Sequence, residues 1–269
     1  MNEVEDIAPG IQSVVLDTNE LYPNCEERYR FEIRLREFLK VGISSEIMNY
    51  NDGILSYLTE TVIPTNQNSR PPVLLLFGNP APSSVLNKCF FARKEGKHDL
   101  PFWPTLAKAD IVSINTASEE INTARTKAIF DLDYESPFRL GLTVFHSIPS
   151  PASGYPWSGV DGLRKLFGRK ALRKIAEAET KRVKSHIRGL IGNDPRGAVI
   201  VFQKDAYLGI NDKEYPAEVI TKVGKQCVVK TRCSDSNVKL FRMPPTRYIR
   251  AHWYVKFLRL VAERIMKES

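Results

Sequence analysis

The residues with the clearest chemical potential follow an apolar run. Five apolar residues, Val73 to Phe77, lead from a Pro-Pro pair into Gly78-Asn79-Pro80. Such a run is typical of a strand buried on both faces of a parallel sheet, and Gly-Asn-Pro is a turn signal. Because proline favours an extended backbone at the preceding residue, we expect the Asn79 amide at the carboxyl end of this strand. Ligands bind at that end of open α/β sheets.

Two aromatic groups follow this turn. Ser83 and Ser84 lie in a Pro-containing loop, Cys89-Phe90-Phe91-Ala92 comes about a dozen residues after Asn79, and Pro101-Phe102-Trp103-Pro104 comes next. This order resembles the first motif of the uracil-DNA glycosylase superfamily, nearest to its mismatch-specific uracil/thymine branch. In that branch a strand ends in Gly-x-Asn-Pro-Gly-x-x-Ser and is followed by Phe-Ala and then Phe-Trp.

Two positions depart from that motif. The glycine before the asparagine is shifted to Gly78, and Ala81 stands where a glycine follows the proline. The resemblance implies hydrolysis of the N-glycosidic bond of uracil, or of a related damaged or mismatched base, after the base has been flipped out of DNA. It assigns Asn79 to orient the attacking water and Phe91 to stack on the base. The base-binding residues expected around them are Phe77, Gly78, Pro80, Ser83, Ser84 and His146.

His146 ends a second strand-like run, Leu140 to His146, before a Pro-containing loop. This segment is similar to the superfamily strand Gly-x-x-Leu-Thr. A histidine at a strand end can serve as an acid or base near neutral pH. The alternative is a structural hydrogen-bonding role, and the sequence leaves both open.

A third segment, Val238 to Tyr248, combines a strand with a Pro-Pro loop before the last predicted helix. In the superfamily a His or Asn at this place precedes Pro-Ser, and the loop enters the minor groove. Met243 occupies that position here, which removes the polar group expected to steady charge on the departing base. We predict that this loop contacts DNA through Pro244, Thr246, Arg247 and Tyr248.

The positive charge of the chain is concentrated in one stretch. Ten of the 39 basic residues and two of the 31 acidic residues lie between Arg164 and Arg188, an excess equal to the net charge of +8. A dense basic helix suits a polyanionic partner, although a solvated helix face has the same composition. The phosphate contacts predicted here are Arg164, Lys165, Arg169 and Lys170.

Composition excludes several other classes of protein. The four cysteines form no C-x-x-C pair, so their spacing supports no zinc site, and no dinucleotide-binding or phosphate-binding glycine motif occurs. The resemblance implies hydrolysis without a metal or an organic cofactor. No apolar run approaches the length of a membrane span, and the acidic start of the chain is unlike a signal peptide. We therefore expect no contact with a membrane and a place in the cytoplasm or, in a eukaryote, the nucleus. The resemblance and the basic stretch imply DNA as the partner, and we expect a monomer.

The apolar content of 42% is sufficient for one large α/β domain. Alternating strands and helices, together with the resemblance, predict a three-layer α/β/α sandwich with a mainly parallel sheet at 71–269. A helical N-terminal extension, 1–70, is expected to pack on it. Strands are expected at 73–77, 140–146, 198–202, 227–230 and from about 238, and helices at 26–39, 52–61, 170–191 and 250–266.

Two other functions remain open from the sequence. A non-catalytic nucleic-acid-binding protein of the same fold is favoured by Met243 and Ala81. A hydrolase or transferase for a small, nucleotide-like anionic ligand could use the same pocket. A basic face that binds another protein is a further, less specific interpretation.

Overall fold

The computed structural model describes residues 3–93, 98–114, 120–151, 156–234 and 236–268. The strands are β1 (Glu3–Ala8), β2 (Ile11–Asp17), β3 (Met48–Asn51), β4 (Ile54–Val62), β5 (Pro72–Phe77), β6 (Arg139–Val144), β7 (Ala198–Val201), β8 (Glu218–Val223), β9 (Gln226–Arg232) and β10 (Lys239–Arg242). The helices are α1 (Thr18–Leu21), α2 (Cys25–Leu39), α3 (Pro82–Leu86), α4 (Phe102–Lys108), α5 (Ile121–Asp131), α6 (Gly159–Ile191), α7 (Lys204–Ile210) and α8 (His252–Lys267). A short 3-10 helix spans Thr246–Tyr248.

The strands form one mixed sheet. Its order is β1-β2-β4-β6-β5-β7-β10-β9-β8, and β3 pairs with the first half of β4. The three pairings among β6, β5, β7 and β10 are parallel, whereas the six other pairings between these strands are antiparallel. The predicted α/β class is confirmed, but the prediction of a mainly parallel sheet is wrong because hairpins extend the parallel centre on both sides.

The parallel strands are buried because helices cover both of their faces. All six residues of β5 are buried. Val73, Leu75 and Phe77 face a core shared with α4, α5 and α8, whereas Leu74 and Leu76 face a second core shared with α6 and α7. This alternation follows from the two-residue period of a strand, and it explains the unbroken apolar run in the sequence.

The first seventy residues contain more strand than predicted. The helix expected at 26–39 is confirmed as α2, but the helix expected at 52–61 is wrong, since β4 occupies this segment. Asp52 (φ +48°) and Gly53 (φ +83°) form the tight turn between β3 and β4, and Asp-Gly is a strong signal for a two-residue hairpin. The prediction of a helical N-terminal extension therefore fails for this hairpin and for β1 and β2.

This N-terminal segment packs on the first half of α6 through a third core. Phe31 and Phe38 of α2 share it with Phe167, and the Tyr22 hydroxyl donates a hydrogen bond of 2.6 Å to the carbonyl of Phe167. The last residues of β4 also pair with β6, so the sheet is continuous across residue 70. The division of the chain into two domains at that residue stays a prediction.

Both ends of the sheet are irregular. The register between β1 and β2 shifts between Asp6 and Ala8, and that between β8 and β9 shifts between Val219 and Thr221. Such shifts mark β-bulges, which bend a strand and increase its twist.

Gly141 allows α6 to approach β6 closely. A Cβ at this position would lie 2.7 Å from Leu190 Cδ2 and 3.1 Å from Ile63 Cδ1.

We predict that Gly141→Ala lowers the free energy of unfolding by about 1–3 kcal/mol, because the core must open to admit the methyl group. The matched control is Gly189→Ala on α6, where the new Cβ meets nothing within 4 Å. It should stabilise the helix by about 0.5–1 kcal/mol. Urea unfolding measures both, and equal effects of the two variants would contradict this account.

Glu60 on β4 is a buried carboxyl, 4% exposed, and its Oε2 has no hydrogen-bond partner in the described residues. Burial raises its pKa well above 4.5. Above this pH the folded state therefore binds more protons than the unfolded state, and stability falls as the pH rises towards the raised pKa.

We predict that Glu60→Gln is more stable than the parent at pH 8. Its advantage should shrink towards pH 5, by at most about 1.4 kcal/mol per pH unit, because the amide has no charge to bury. Urea unfolding at several pH values tests this, with the exposed Glu46→Gln as control. A constant difference between Glu60→Gln and the parent across the pH range would refute it.

Candidate functional site

Four loops meet at one edge of the sheet because the four parallel strands end in register. Phe77 lies opposite Val144, and Val201 lies between Leu76 and Arg242. Hydrogen bonds continue the alignment beyond the strands. The backbone N–H of His146 donates to the carbonyl of Gly78 at 2.8 Å, and that of Ser150 donates to the carbonyl of Pro80 at 3.2 Å. The structure thus brings the Asn79, His146 and Met243 segments to the carboxyl edge, where the sequence predicts a ligand site.

The carboxamide of Asn79 is fixed in one orientation. Its Nδ2 donates hydrogen bonds to Ser150 Oγ at 2.7 Å and to the carbonyl of Pro80 at 3.3 Å. Since a carbonyl only accepts, the contact with Pro80 identifies this side of the amide as nitrogen. Within the described residues no hydrogen bond reaches Oδ1, and the residue is only half-buried. The amide oxygen is therefore available as an acceptor.

The two serines after Asn79 begin α3. Pro82 occupies the first turn of this helix, where its missing N–H costs no hydrogen bond. Ser84 is 5% exposed, and its backbone N–H donates to the carbonyl of Ala81 at 2.9 Å. Ser83 is more accessible than Ser84. Of the two predicted base-binding serines, Ser83 is therefore better placed to reach a ligand with its hydroxyl.

Phe77 and Phe91 belong to an aromatic cluster behind the Asn79 loop. The Phe91 ring stacks on Phe102 with centroids 4.1 Å apart and meets Phe77 edge-on at 5.2 Å. Phe77 also stacks on Phe202 at 5.0 Å. Phe91 is half-buried and has φ +50°, an uncommon backbone conformation for a bulky residue. The cluster holds one face of the Phe91 ring and leaves the side chain partly exposed.

His146 is buried, with 2% of its surface exposed, and neither ring nitrogen has a hydrogen-bond partner in the described residues. Burial lowers the pKa of the imidazole, and the nearby Glu179 and Asp205 carboxylates oppose this effect. The side chain is therefore a neutral group in the wall behind the loop. Its predicted roles, in base binding or as a structural group, both stay predictions.

A buried ion pair fixes the segment after β6. Glu179, 1% exposed, accepts hydrogen bonds from the backbone N–H of Ser147, at 2.7 Å, and from the Ser147 hydroxyl. The Arg182 Nε donates to Glu179 Oε2 at 2.6 Å, and its Nη2 donates to the carbonyls of Val144 and Phe145. Two α6 side chains thus hold the end of β6 and the start of the loop that carries Ser150.

In the segment from Val238 to Tyr248 the loop is accessible at the carboxyl edge, whereas the methionine is buried. Met243 is 2% exposed and belongs to the core shared with α8, so its side chain does not face the edge. Pro244 is buried, and its carbonyl accepts a hydrogen bond of 2.8 Å from the Tyr254 hydroxyl. Thr246 begins the 3-10 helix, and the exposed Arg247 guanidinium lies 5.0 Å from the centroid of the Tyr248 ring. Thr246, Arg247 and Tyr248 are the accessible members of the predicted contact set.

The four basic residues predicted to bind phosphate lie on either side of a kink in α6. Gly168 has φ +76° and ψ 163°, so the helix is interrupted after Phe167. Before the kink, Arg164 pairs with Asp161 at 2.5 Å and lies 3.8 Å from Asp205, whereas the Lys165 ammonium lies 3.9 Å from the centroid of the Trp157 ring.

After the kink, Arg169 and Lys170 are exposed. Arg182, part of the same basic excess, is only 12% exposed in its side chain and is committed to Glu179. The surface available to a polyanion is therefore smaller than the charge count in the sequence suggests.

Sequence reasoning did not predict the contacts that three residues make at this edge. Ser150 orients Asn79, Glu179 anchors the same loop, and Gln203 Oε1 accepts a hydrogen bond of 2.6 Å from the N–H of Ala206 at the start of α7. A Cβ on Gly78 would lie 3.0 Å from Gln203 Cγ, so the glycine makes room for this side chain. The only sequence signal for this helix start is Asp205 in the first turn, because glutamine is not among the residues preferred at a helix N-cap.

None of the helices in the described part of the chain has the length and apolar content that crossing a membrane requires. Among the described residues no group of three or more His, Cys, Asp or Glu side chains is arranged to hold a metal ion.

No protein-family model matches the chain, and no curated protein matches it in sequence. The DNA partner, the monomeric state and the cytoplasmic or nuclear location stay predictions.

We predict that Glu179→Gln lowers the free energy of unfolding by about 3 kcal/mol, because it leaves Arg182 as an uncompensated buried charge. The matched control is Glu177→Gln on the same helix, whose carboxylate is exposed and lies 3.7 Å from Arg173. That change should cost less than about 0.5 kcal/mol. Urea unfolding distinguishes the two, and a small effect of Glu179→Gln would show that the ion pair does not stabilise the fold.

Proposed function

We propose that this protein is a DNA glycosylase, similar to those of the uracil-DNA glycosylase superfamily. It would hydrolyse the N-glycosidic bond of uracil, or of a related damaged or mismatched base, after the base has left the stack. The observation that carries the proposal is the fixed carboxamide of Asn79. Both of its hydrogen bonds are donated by Nδ2, towards Ser150 and Pro80, so Oδ1 is left to accept a hydrogen bond from a water.

This arrangement suits positioning better than proton removal. An amide is a poor general base, but an oriented amide oxygen can hold a water in line with the bond that breaks. Ser150 is itself 2% exposed and is tied to Pro80 through its backbone, so the carboxamide has little freedom to turn away. Asn79 therefore orients the water without taking its proton, and we expect a slow enzyme.

Phe91 supplies the stacking surface in this proposal. One side of its ring is supported by Phe102, and its remaining exposed surface is available to a flipped base. Base–aromatic stacking contributes about 1–3 kcal/mol and tolerates different bases. Ser83 and the backbone of the 77–82 loop would bind the edge of the base.

The three-layer arrangement of the superfamily is part of this proposal. Helices on both faces of the β6-β5-β7-β10 strands support it, together with the loops gathered at their carboxyl ends. Phosphate contacts are assigned to Arg164, Lys165, Arg169 and Lys170, and to Thr246, Arg247 and Tyr248 in the loop that follows the buried Pro244. These contacts would hold the backbone without reading sequence.

Met243 favours a second candidate function. Its side chain lies in the core, and the loop after it offers no histidine or asparagine to steady negative charge on a departing base. A non-catalytic protein that binds DNA through the same loop and the basic helix fits this observation. Charge-driven binding with a steep salt dependence and no base release would identify it.

Single-turnover base release tests the proposal. The substrates are labelled duplexes with uracil opposite guanine, uracil opposite adenine, and thymine opposite guanine. We expect the parent to release at least one of these bases. Asn79→Ala should lower the rate about 100-fold, because the water loses its position, and Phe91→Ala about tenfold, because the base loses its stacking partner.

The control is Asn237→Ala, which changes an exposed asparagine before β10, at the opposite edge of the sheet. Its rate should equal that of the parent, and a thermal melt of each variant separates loss of fold from loss of function. Salt-sensitive binding of the duplex without base release would contradict the glycosylase proposal and support the non-catalytic DNA-binding protein. If the protein shows no base release and no duplex binding, a nucleic-acid function of this edge is excluded.

A further inference from the structure

An open cavity lies away from the Asn79 edge. It has a volume of about 1010 Å³ and is bordered by the β1–β2 hairpin, the end of β4, helix α5 and His186 of α6. Small-molecule sites typically have about 300–1,000 Å³. Its lining among the described residues includes none of the residues assigned above to DNA or to a flipped base.

The rim and the floor of this cavity differ in polarity. Asp6, Lys88, Lys127 and Asp131 lie at the exposed rim, where two acidic and two basic side chains balance in formal charge. Ala8, Ile63 and Phe130 contribute apolar surface further in, next to the buried Gly10 and Thr61. The balanced rim gives no charge selection, and the apolar floor disfavours a buried ion that lacks a partner.

His186 is one of the polar residues that line this cavity, with Gln12, Thr61 and Thr126, and its contacts bear on its tautomer. Thr143 Oγ1 accepts from the Thr61 hydroxyl at 3.3 Å and from Arg182 Nη1 at 3.4 Å, and it lies 3.0 Å from His186 Nδ1. The two contacts that the Thr143 oxygen accepts are long, but together they favour donation of its one hydrogen to His186. With Nδ1 as the acceptor, the neutral imidazole carries its proton on Nε2.

The electrostatic surroundings keep this imidazole uncharged. Burial, and to a smaller extent the Arg182 guanidinium, lower the pKa of His186 to about 3. His186 lines the cavity, and within the described residues no hydrogen bond to Nε2 is found, so this N–H has no protein acceptor there. A neutral N–H donor pairs with a neutral acceptor without the desolvation of a charge.

We propose that this cavity is a second ligand site, which takes an uncharged, mainly apolar molecule whose carbonyl oxygen accepts a hydrogen bond from His186 Nε2. The apolar floor receives the body of the ligand, and the N–H fixes its orientation. The site is independent of the proposed function, and its test requires no DNA.

Three matched probes test the chemistry of the site: benzamide, benzoate and toluene. They share a phenyl ring and differ in carrying a neutral carbonyl, an anionic carboxylate or no acceptor. We expect benzamide to bind with a Kd of about 1–10 mM, as a ligand of this size can. It should shift the His186 Nε2 resonance in long-range proton–nitrogen spectra. Toluene should bind about fivefold more weakly, because one hydrogen bond is missing, and benzoate more weakly still.

Two tryptophan variants locate the binding. Thr123→Trp fills the cavity from the exposed face of α5 and should abolish the benzamide shifts, whereas Glu37→Trp, on the exposed face of α2, should leave them unchanged. His186→Phe should reduce the affinity for benzamide to that for toluene. Thr123→Trp keeps the test decisive if this last variant does not fold.

Several results would overturn the proposal. They are the absence of a saturable shift at His186, the same benzamide binding in Thr123→Trp, benzoate binding as tightly as benzamide, or a spectrum with the His186 proton on Nδ1.

Discussion

The in-register parallel pairing of β6, β5, β7 and β10 is the constraint on which the candidate site depends. Parallel strands cannot be joined by tight turns, so long connections carry the chain back, and each strand ends at the same edge. Four loops from distant parts of the sequence therefore meet there. The pairing between Phe77 and Val144 fixes the position of the Asn79 loop relative to the Ser150 loop along the strand direction. A slip of one residue would separate Asn79 from its hydrogen-bond partner and turn the strand side chains to the wrong faces.

The α6 helix converts this alignment into a rigid site. Its Glu179 and Arg182 side chains hold the backbone at the end of β6, and the same loop reaches Asn79 through Ser150. The Asn79 carboxamide is thus supported by a chain of buried contacts that begins on a helix. Since a partly satisfied polar network is costly, the ion pair and the loop depend on one another. The stiffness of the edge comes from α6 rather than from the loop sequence.

Local signals in the sequence were sufficient for the centre of the fold. The apolar runs around Val73, Leu140 and Ala198 predicted three of the parallel strands, because burial on both faces leaves no polar positions. The β3–β4 hairpin was missed, since its apolar spacing was assigned to a helix although Asp52-Gly53 signals a turn.

Partners within the site depend on tertiary contacts that a local pattern does not contain. Ser150 lies 71 residues after Asn79, and nothing near Asn79 in the sequence specifies that contact. The sequence motif predicted which residue occupies this position, Met243, but not the direction of its side chain. That direction is set by the alternation of side chains along β10 and by packing against α8. The position of Asn79, in contrast, could be predicted from the sequence. A turn residue that directly follows a buried parallel strand must lie at the carboxyl end of that strand.

The irregular ends of the sheet have a consequence for assembly. In the described part of the chain three strands, β1, β3 and β8, pair on one side, and the free backbone groups of such edges invite another chain to pair. The two outermost strands are each bent by a bulge: β1, which also carries the exposed Glu5 and Asp6, and β8, which carries Lys222. A bent, charged edge offers no continuous ladder to a second copy, and β3 has four residues, too few for a long one. These edges therefore disfavour the addition of further strands to the sheet.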